Sequence, residues 1–325
     1  MILRIALVAL LMASPAAVAC GEDDAGTKTA PAFRVVATTT QAADLVRNVA
    51  GAQAQVTQLM TANADPHAYE LRPRDVEAIA DADLIVRSGG DLDDWLAEAI
   101  EQAASDAPVV TLIDAVETIE GEHGHAEEEH GEEEHEDEAI DPHWWQDPLN
   151  AILAVTEIER SLALVDPSRA DAYREHAASY RAEIEALDRV VGACWKRVPP
   201  RQRKLVTTHD ALGYYASRYG LEVVGTVIPS LSTKGQASAG ELAGLVDTIR
   251  RERVLVVFAE SSVNSKVEQA IADDAGAKLG GELWADTLGP DGSSGDTYLR
   301  SIASNTRAMV DGMTGGTVVC TVPSG

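Results

Sequence analysis

The chain has 325 residues and a formal net charge of −27, from 53 acidic and 26 basic side chains, and 45% of its residues are hydrophobic. Its length accommodates two ordinary domains, and its apolar content excludes disorder throughout. The acidic balance argues against nucleic acid as a partner and is compatible with cations.

The N-terminus has the pattern of an export signal: Arg4 supplies a small positive region, ILRIALVALLMA an apolar core, and small residues lead into Cys20. The run is too short to be kept as a membrane span. Two processing readings are open. Ala17-Val18-Ala19 satisfies the small-x-small rule, and Cys20 directly after it resembles a bacterial lipidation cysteine, with Ala17 where leucine is usual. The reading adopted is a signal peptide over 1–19, a lipid anchor on Cys20 and a polar tether over 20–32. An exported protein with three cysteines then has Cys194 and Cys320 left to form a disulfide; the alternative is that Cys194, beside Trp195, is a buried apolar residue.

From Phe33 onward, β-branched runs alternate with helical patterns, as in a parallel-sheet α/β protein. FRVVATTT reads as a strand and QAADLVRNVAG as a helix closing on Gly51. AQVTQLM is a strand, RPRDVEAIADA a helix, DLIVRSG a strand, DLDDWLAEAIEQAAS a helix and PVVTLI a strand. The texture changes between Asn150 and Arg197. There Tyr173, Ala177, Tyr180, Ile184, Leu187 and Val191 recur at helical spacing, predicting one long helix from Pro167, with His176 as a surface or edge residue on it. The alternation then resumes with KLVTTH, LEVVGTVI, SAGELAGLVDTIRRE, VLVVFAE, NSKVEQAIADDAG and AKLGGELWAD, and ends in the helix DTYLRSIASNTRAMVDGM. The expected architecture is α/β: an N-terminal lobe over 33–165, a linking helix over 166–198 and a C-terminal lobe over 199–325. Each lobe has a mostly parallel sheet flanked by helices.

Histidine is concentrated in one place. Between Glu120 and Glu138 there are eleven acidic residues and no Lys or Arg, together with His123, His125, His130 and His135. A tract of this composition cannot bury itself, so the loop over 120–139 is expected to hold accessory Zn²⁺ weakly, or to be a solvated acidic loop and no more. Four other motifs put a metal-capable side chain beside turn residues: ADPHAYE around His67, DPHWWQDP around His143, VTTHDALGYYASRYG around His209 and LWADTLGPDG around Asp286. Proline restricts its own φ and the residue before it, so a histidine after Asp-Pro leaves a stiff turn. His209 and Asp286 fall at predicted strand ends, where ligands of open parallel sheets collect. Three imidazoles and a carboxylate suit Zn²⁺, and Mn²⁺ uses the same donors while preferring more oxygen. Glu70 and Glu260 are candidates for orienting the imidazoles.

Taken in order, DPHAYELRPRD, DPHWWQDPLNA, VTTHDALGYYASRYGL, FAESSVNSKV and LWADTLGPDGSSGDTYLRSIASNTRAMV resemble the zinc/manganese substrate-binding proteins of bacterial ABC importers (the cluster A-I receptors), from about Phe33 to the tail. The resemblance implies two α/β lobes joined by a rigid long helix, one divalent cation between them, and delivery to a membrane permease. By motif match the ligands would be His67, His143, His209 and Asp286. In that family the third position is His or Glu, the latter in manganese-type members, so His209 leans to zinc; the acidic tract resembles the zinc members' insertion. Trp145, making a Trp pair after His143, departs from the pattern. The expectation is thus an extracytoplasmic, lipid-anchored, monomeric Zn²⁺ receptor that is not an enzyme. The alternatives are a Mn²⁺ receptor, a zinc hydrolase, and a zinc buffer or adhesin.

Overall fold

The computed structural model describes residues 33–121 and 140–322. The expected export signal, the tether with Cys20, and His123, His125, His130 and His135 lie outside the described residues.

Short apolar runs bounded by turn residues form the strands. In β1 (Phe33–Ala37) every residue but Arg34 is buried, as in a strand covered on both faces. β2 (Ala54–Gln58) and β3 (Leu84–Arg87) flank it and β4 (Val109–Thr111) lies outside β3, all parallel, in the order β2-β1-β3-β4. The crossovers contain α1 (Thr40–Ala50), α2 (Pro73–Ala80) and α3 (Leu96–Ala103). The pattern predicts that the third helix begins at Asp91, but it begins at Leu96. Gly89 and Gly90 take φ of 84° and 64°, and Gly90–Asp93 form a 3₁₀ turn. That turn draws Asp93 inside, where it accepts the Thr38 hydroxyl and the Ser88 N–H, both at 2.7 Å, and Arg87 Nε–H at 2.9 Å.

Two helices follow, α4 (Pro148–Val165) and α5 (Ala170–Trp195). The long helix starts three residues later than its pattern predicts. Asp166 accepts the hydroxyls of Ser168 (2.7 Å) and Tyr173 (2.8 Å) and pairs with Arg169, which tightens Pro167–Arg169 into a 3₁₀ turn. Its buried stripe includes the predicted Tyr173, Ala177, Tyr180, Ile184, Leu187 and Val191. At 26 residues α5 is about 39 Å long, enough to run along a whole domain. It packs on α1 and α4, and also on α9 (Tyr298–Thr314) from the other end of the chain. Gly51, with φ 56°, ends α1, and a Cβ there would lie 2.6 Å from the His176 ring. Glycine therefore serves both the left-handed turn and the close approach of α5.

The second lobe repeats the plan. β5 (Lys204–Thr207) pairs in parallel with β6 (Glu222–Thr226), and β7 (Val256–Val257) with β8 (Lys278–Leu279). These form two separate two-stranded sheets, and a backbone bond from Phe258 N–H, just past β7, to Val206 O (2.9 Å) sets β7 beside β5. The connecting helices are α6 (Gly213–Tyr219), α7 (Ala239–Glu252) and α8 (Lys266–Ala275). The seven-residue α6 is absent from the sequence reading: GYYASRY has weak helix propensity and is held by burial of Tyr214, Tyr215 and Tyr219. Among the described residues no helix is long and apolar enough to cross a membrane.

Cys194, in the last turn of α5, is bonded to Cys320, 126 residues on, with Cα atoms 5.7 Å apart. This ties the C-terminal segment to the long helix. Replacing both cysteines by serine is expected to lower the free energy of unfolding by about 2–5 kcal/mol, read as an earlier urea midpoint with an equal or steeper slope, because the released chain exposes more surface when unfolded. A midpoint equal to the parent's would contradict a constraining role.

Candidate metal centre

His67 sits in the 3₁₀ turn Pro66–Ala68, in the loop that follows β2. Its turn is closed by Asp65, whose Oδ1 accepts the His67 backbone N–H at 2.9 Å. The second Asp-Pro-His repeats this bond, Asp141 Oδ1 accepting His143 N–H at 2.8 Å. His209 lies two residues beyond β5, and Asp286 follows Leu283, which bridges in parallel to Glu260 beyond β7. Two ligand candidates thus come from strand ends of the second lobe and two from stiff turns of the first.

The four side chains meet. His143 Nε2 lies 3.3 Å from Asp286 Oδ1, His209 Nε2 3.3 Å from Oδ2, and His67 Nε2 3.6 Å from Oδ2. One donor atom from each residue falls within a group spanning at most 4.8 Å. These distances are long for charge-assisted hydrogen bonds. The His143 and His209 distances match the edge of a tetrahedron around an ion at Zn–N and Zn–O distances, about 3.3–3.4 Å, and the His67 distance is longer. All three Nε2 atoms and both Asp286 oxygens are buried without a hydrogen-bond partner. Five orphaned lone-pair positions aimed at one point are costly unless a cation or protons fill the space between them.

The other ring nitrogens explain how the imidazoles are aimed. His209 Nδ1 lies 2.7 Å from Glu260 Oε2, while Glu260 Oε1 accepts the His209 backbone N–H at 3.0 Å. His143 Nδ1 lies 2.7 Å from Asp141 Oδ1. With Nδ1–H donated to a carboxylate, Nε2 is the free lone pair. Glu260 therefore orients an imidazole, but Glu70 is exposed, and the second orienting carboxylate is Asp141. Sequence reasoning used Asp141 only as a turn residue. The Asx turn itself was legible, but the ring contact was not, because Asp65 forms the same turn before His67 without holding that ring. His176 is remote from the centre, with Nδ1 3.1 Å from Val49 O.

These carboxylates set the protonation of the centre. Burial opposes charge on His143, but Asp141 and Asp286 outweigh it and push its pKa up to about 9. His209 is likewise buried, yet Asp286 and Glu260 hold it well above the usual histidine range. Burial dominates at His67 and pushes it down to about 3, with Asp286 opposing and the other two imidazoles and Lys234 assisting. Burial would raise Asp286, but His209 and His143 keep it well below the ordinary carboxylate range. Without a cation, two imidazolium groups face one carboxylate while His67 stays neutral.

The Trp pair joins the lobes behind the ligands. Trp144 Nε1–H donates to Ser88 Oγ (3.1 Å) within the first lobe. Trp145 Nε1–H and Gln146 Nε2–H both donate across to Ala285 O, at 2.9 and 2.7 Å, directly before Asp286. Thr40 Oγ1 accepts the Leu288 N–H at 2.8 Å, and the Tyr298 hydroxyl donates to Trp145 O at 2.9 Å. The Asp286 loop, in the second lobe by sequence, is fastened to the first on both sides.

Residues 35–312 match the family model described as zinc-uptake complex component A, periplasmic. The manganese-binding lipoprotein MntA of Bacillus subtilis is 33% identical, over 90% of this chain and 93% of its own. The iron-binding protein YfeA of Yersinia pestis is 30% identical over 84% of each. The solved periplasmic zinc-binding protein TroA of Treponema pallidum superposes with a TM-score of 0.76 at 28% identity, covering 87% of this chain and 99% of that one. Asp141→Asn and Glu260→Gln are each expected to weaken divalent-cation binding by about 10–100-fold in chelator competition, at an unchanged circular dichroism spectrum. Parental affinity in both variants would remove the orienting role.

Proposed function

The chain belongs to the family of zinc-uptake complex component A proteins, metal-binding receptors of ABC importers, and from that premise we propose that it is an extracytoplasmic Zn²⁺ receptor delivering its ion to a membrane permease. The observation that carries this reading is the set of three buried, unpaired imidazole Nε2 atoms gathered 3.3–3.6 Å from the oxygens of the Asp286 carboxylate, with one donor atom from each residue within 4.8 Å of the others. His67, His143, His209 and Asp286 are the proposed ligands. Imidazole-rich tetrahedral donor sets suit Zn²⁺, and a fourth protein ligand takes the position that a catalytic zinc keeps open for water, which favours a carrier over a hydrolase. Cys20 is the proposed lipid anchor of a monomeric receptor. His123, His125, His130 and His135 are proposed to add weak, exchanging zinc sites.

One observation favours a second reading, a Mn²⁺ receptor. Both Asp286 oxygens are unpaired, Oδ1 towards His143 and Oδ2 towards His209 and His67, so a chelating carboxylate would raise the donor count to five and the oxygen share with it. Protein purified without added metal is expected to hold one tight equivalent of Zn²⁺ and to retain it against Mn²⁺ at equal free concentration, by elemental analysis and competition titration. Preference for Mn²⁺ in that competition would overturn the zinc reading in favour of the second.

The pH dependence has a definite sign. His143, held up to about 9, and His209, also held well above the usual histidine range, must lose their Nε2 protons to bind an ion, so the loaded form carries fewer protons and affinity falls as pH drops below about 9. His67, at about 3, has no proton to lose near neutrality. Binding at pH 7 is expected to release about two protons per ion. Calorimetry in buffers of different protonation enthalpy measures this, and zero release would contradict it.

A further inference from the structure

The two Asp-Pro-His turns are alike in sequence and in their backbone bond, and they differ in what else the aspartate holds. Asp141 holds the ring of its own histidine. Asp65 turns Oδ2 away from its histidine and accepts the hydroxyl of Thr233, 168 residues distant in the other lobe, at 2.6 Å. Among the described residues no carboxylate is hydrogen-bonded to His67 Nδ1. His67 is also the least enclosed of the four, its side chain 6% exposed where those of His143, His209 and Asp286 are fully buried.

Thr233 stands on a braced loop. Ser230 O accepts the N–H of Asp210, the residue after His209, at 3.1 Å. Ser230 Oγ accepts Ser232 N–H at 3.0 Å, and Gly235 N–H returns to Ser232 O at 3.1 Å. Leu231 lies over Gly121, where an added Cβ would meet its side chain at 2.4 Å. The loop thus relays the position of the His209 strand end to the His67 turn. His143 is held by Asp141, His209 by Glu260, and the Asp286 loop by Trp145, Gln146 and Thr40. Among the described residues, the His67 turn has one side-chain hydrogen bond across the cleft, through Asp65 to Thr233.

We infer that Thr233 is a positioning residue for His67: its hydrogen bond to Asp65 is the latch between lobes that holds the fourth ligand on the ion, and the ion leaves past His67 when that bond opens. This rests on the metal-receptor reading. The latch sets the release rate and leaves the ligand set unchanged, which separates it from a ligand role for Thr233 itself.

The test uses the full chain loaded with Zn²⁺ and mixed with excess chelator. Thr233→Val keeps the branched shape and removes the hydroxyl; it is expected to speed release about 10-fold, equivalent to about 1.4 kcal/mol, and Thr233→Ser to restore the parental rate. Thr233→Ala, a second removal of the hydroxyl, is expected to behave as the valine variant does. The visible spectrum of Co²⁺-loaded Thr233→Val is expected to match the parent's, since the donors are the same, and metal-free melting temperatures to match as well. Parental release rates in both truncations overturn the latch while leaving the receptor reading standing. Failure of serine to restore the rate also overturns it. A parent chain that retains no Zn²⁺ overturns the receptor reading and the latch together.

Discussion

Ala285 O accepts two buried N–H donors from the opposite lobe, Trp145 Nε1 and Gln146 Nε2, and the metal centre depends on that junction. A carbonyl shared by two side chains fixes a short loop in both translation and twist, and the next residue is Asp286. Thr40 grips the same loop three residues on from Ala285, at Leu288. Asp286 can therefore face His67 and His143 of the first lobe and His209 of the second at 3.3–3.6 Å without a ligand atom of its own to hold it. The α5 helix and the Asp44 carboxylate, which accepts the Tyr298 N–H at the start of α9, extend the same fastening away from the site.

Charge balance in the centre follows from this packing. Counting formal charges, Asp141, Glu260 and Asp286 carry three negative charges, and raised His143 and His209 return two positive ones, a sum of −1. On the proposed reading a divalent ion displaces both protons, and the sum is again −1. A buried site that exchanges two protons for one dication keeps its net charge constant, which avoids the large cost of changing charge in a poorly solvated interior. The neutral His67 stands outside this exchange, as it stands outside the carboxylate pairing of the other two imidazoles.

The two lobes also show how little sequence likeness a shared plan needs. β2-β1-β3-β4 is one parallel sheet, and the second lobe sets two parallel pairs, β5-β6 and β7-β8, side by side through Phe258 and Val206, although β7 and β8 shrink to two residues each. What persists is the apolar inner strand and the placement of polar residues beyond strand ends. Crossover handedness and strand burial constrain topology more strongly than they constrain residue identity.

Local physics was legible in the chain alone. The stripe Tyr173 to Val191, the inner strands Phe33–Ala37 and Lys204–Thr207, the turn at Gly51 and the stiffness of both Asp-Pro-His turns follow from periodicity, burial and proline geometry over a few residues. The candidate ligands were legible for the same reason, each lying in a short motif with its own turn. Tertiary structure decided what no window of sequence contains: that Asp141 and Asp65, identical in their motifs, serve a ring and a distant hydroxyl; that Glu260 meets His209 while Glu70 faces solvent; and that the Trp pair reaches Ala285. Those pairings span up to 168 residues. A side chain's partner at that range is set by how whole layers pack, whereas its turn, helix face or strand is set by its neighbours.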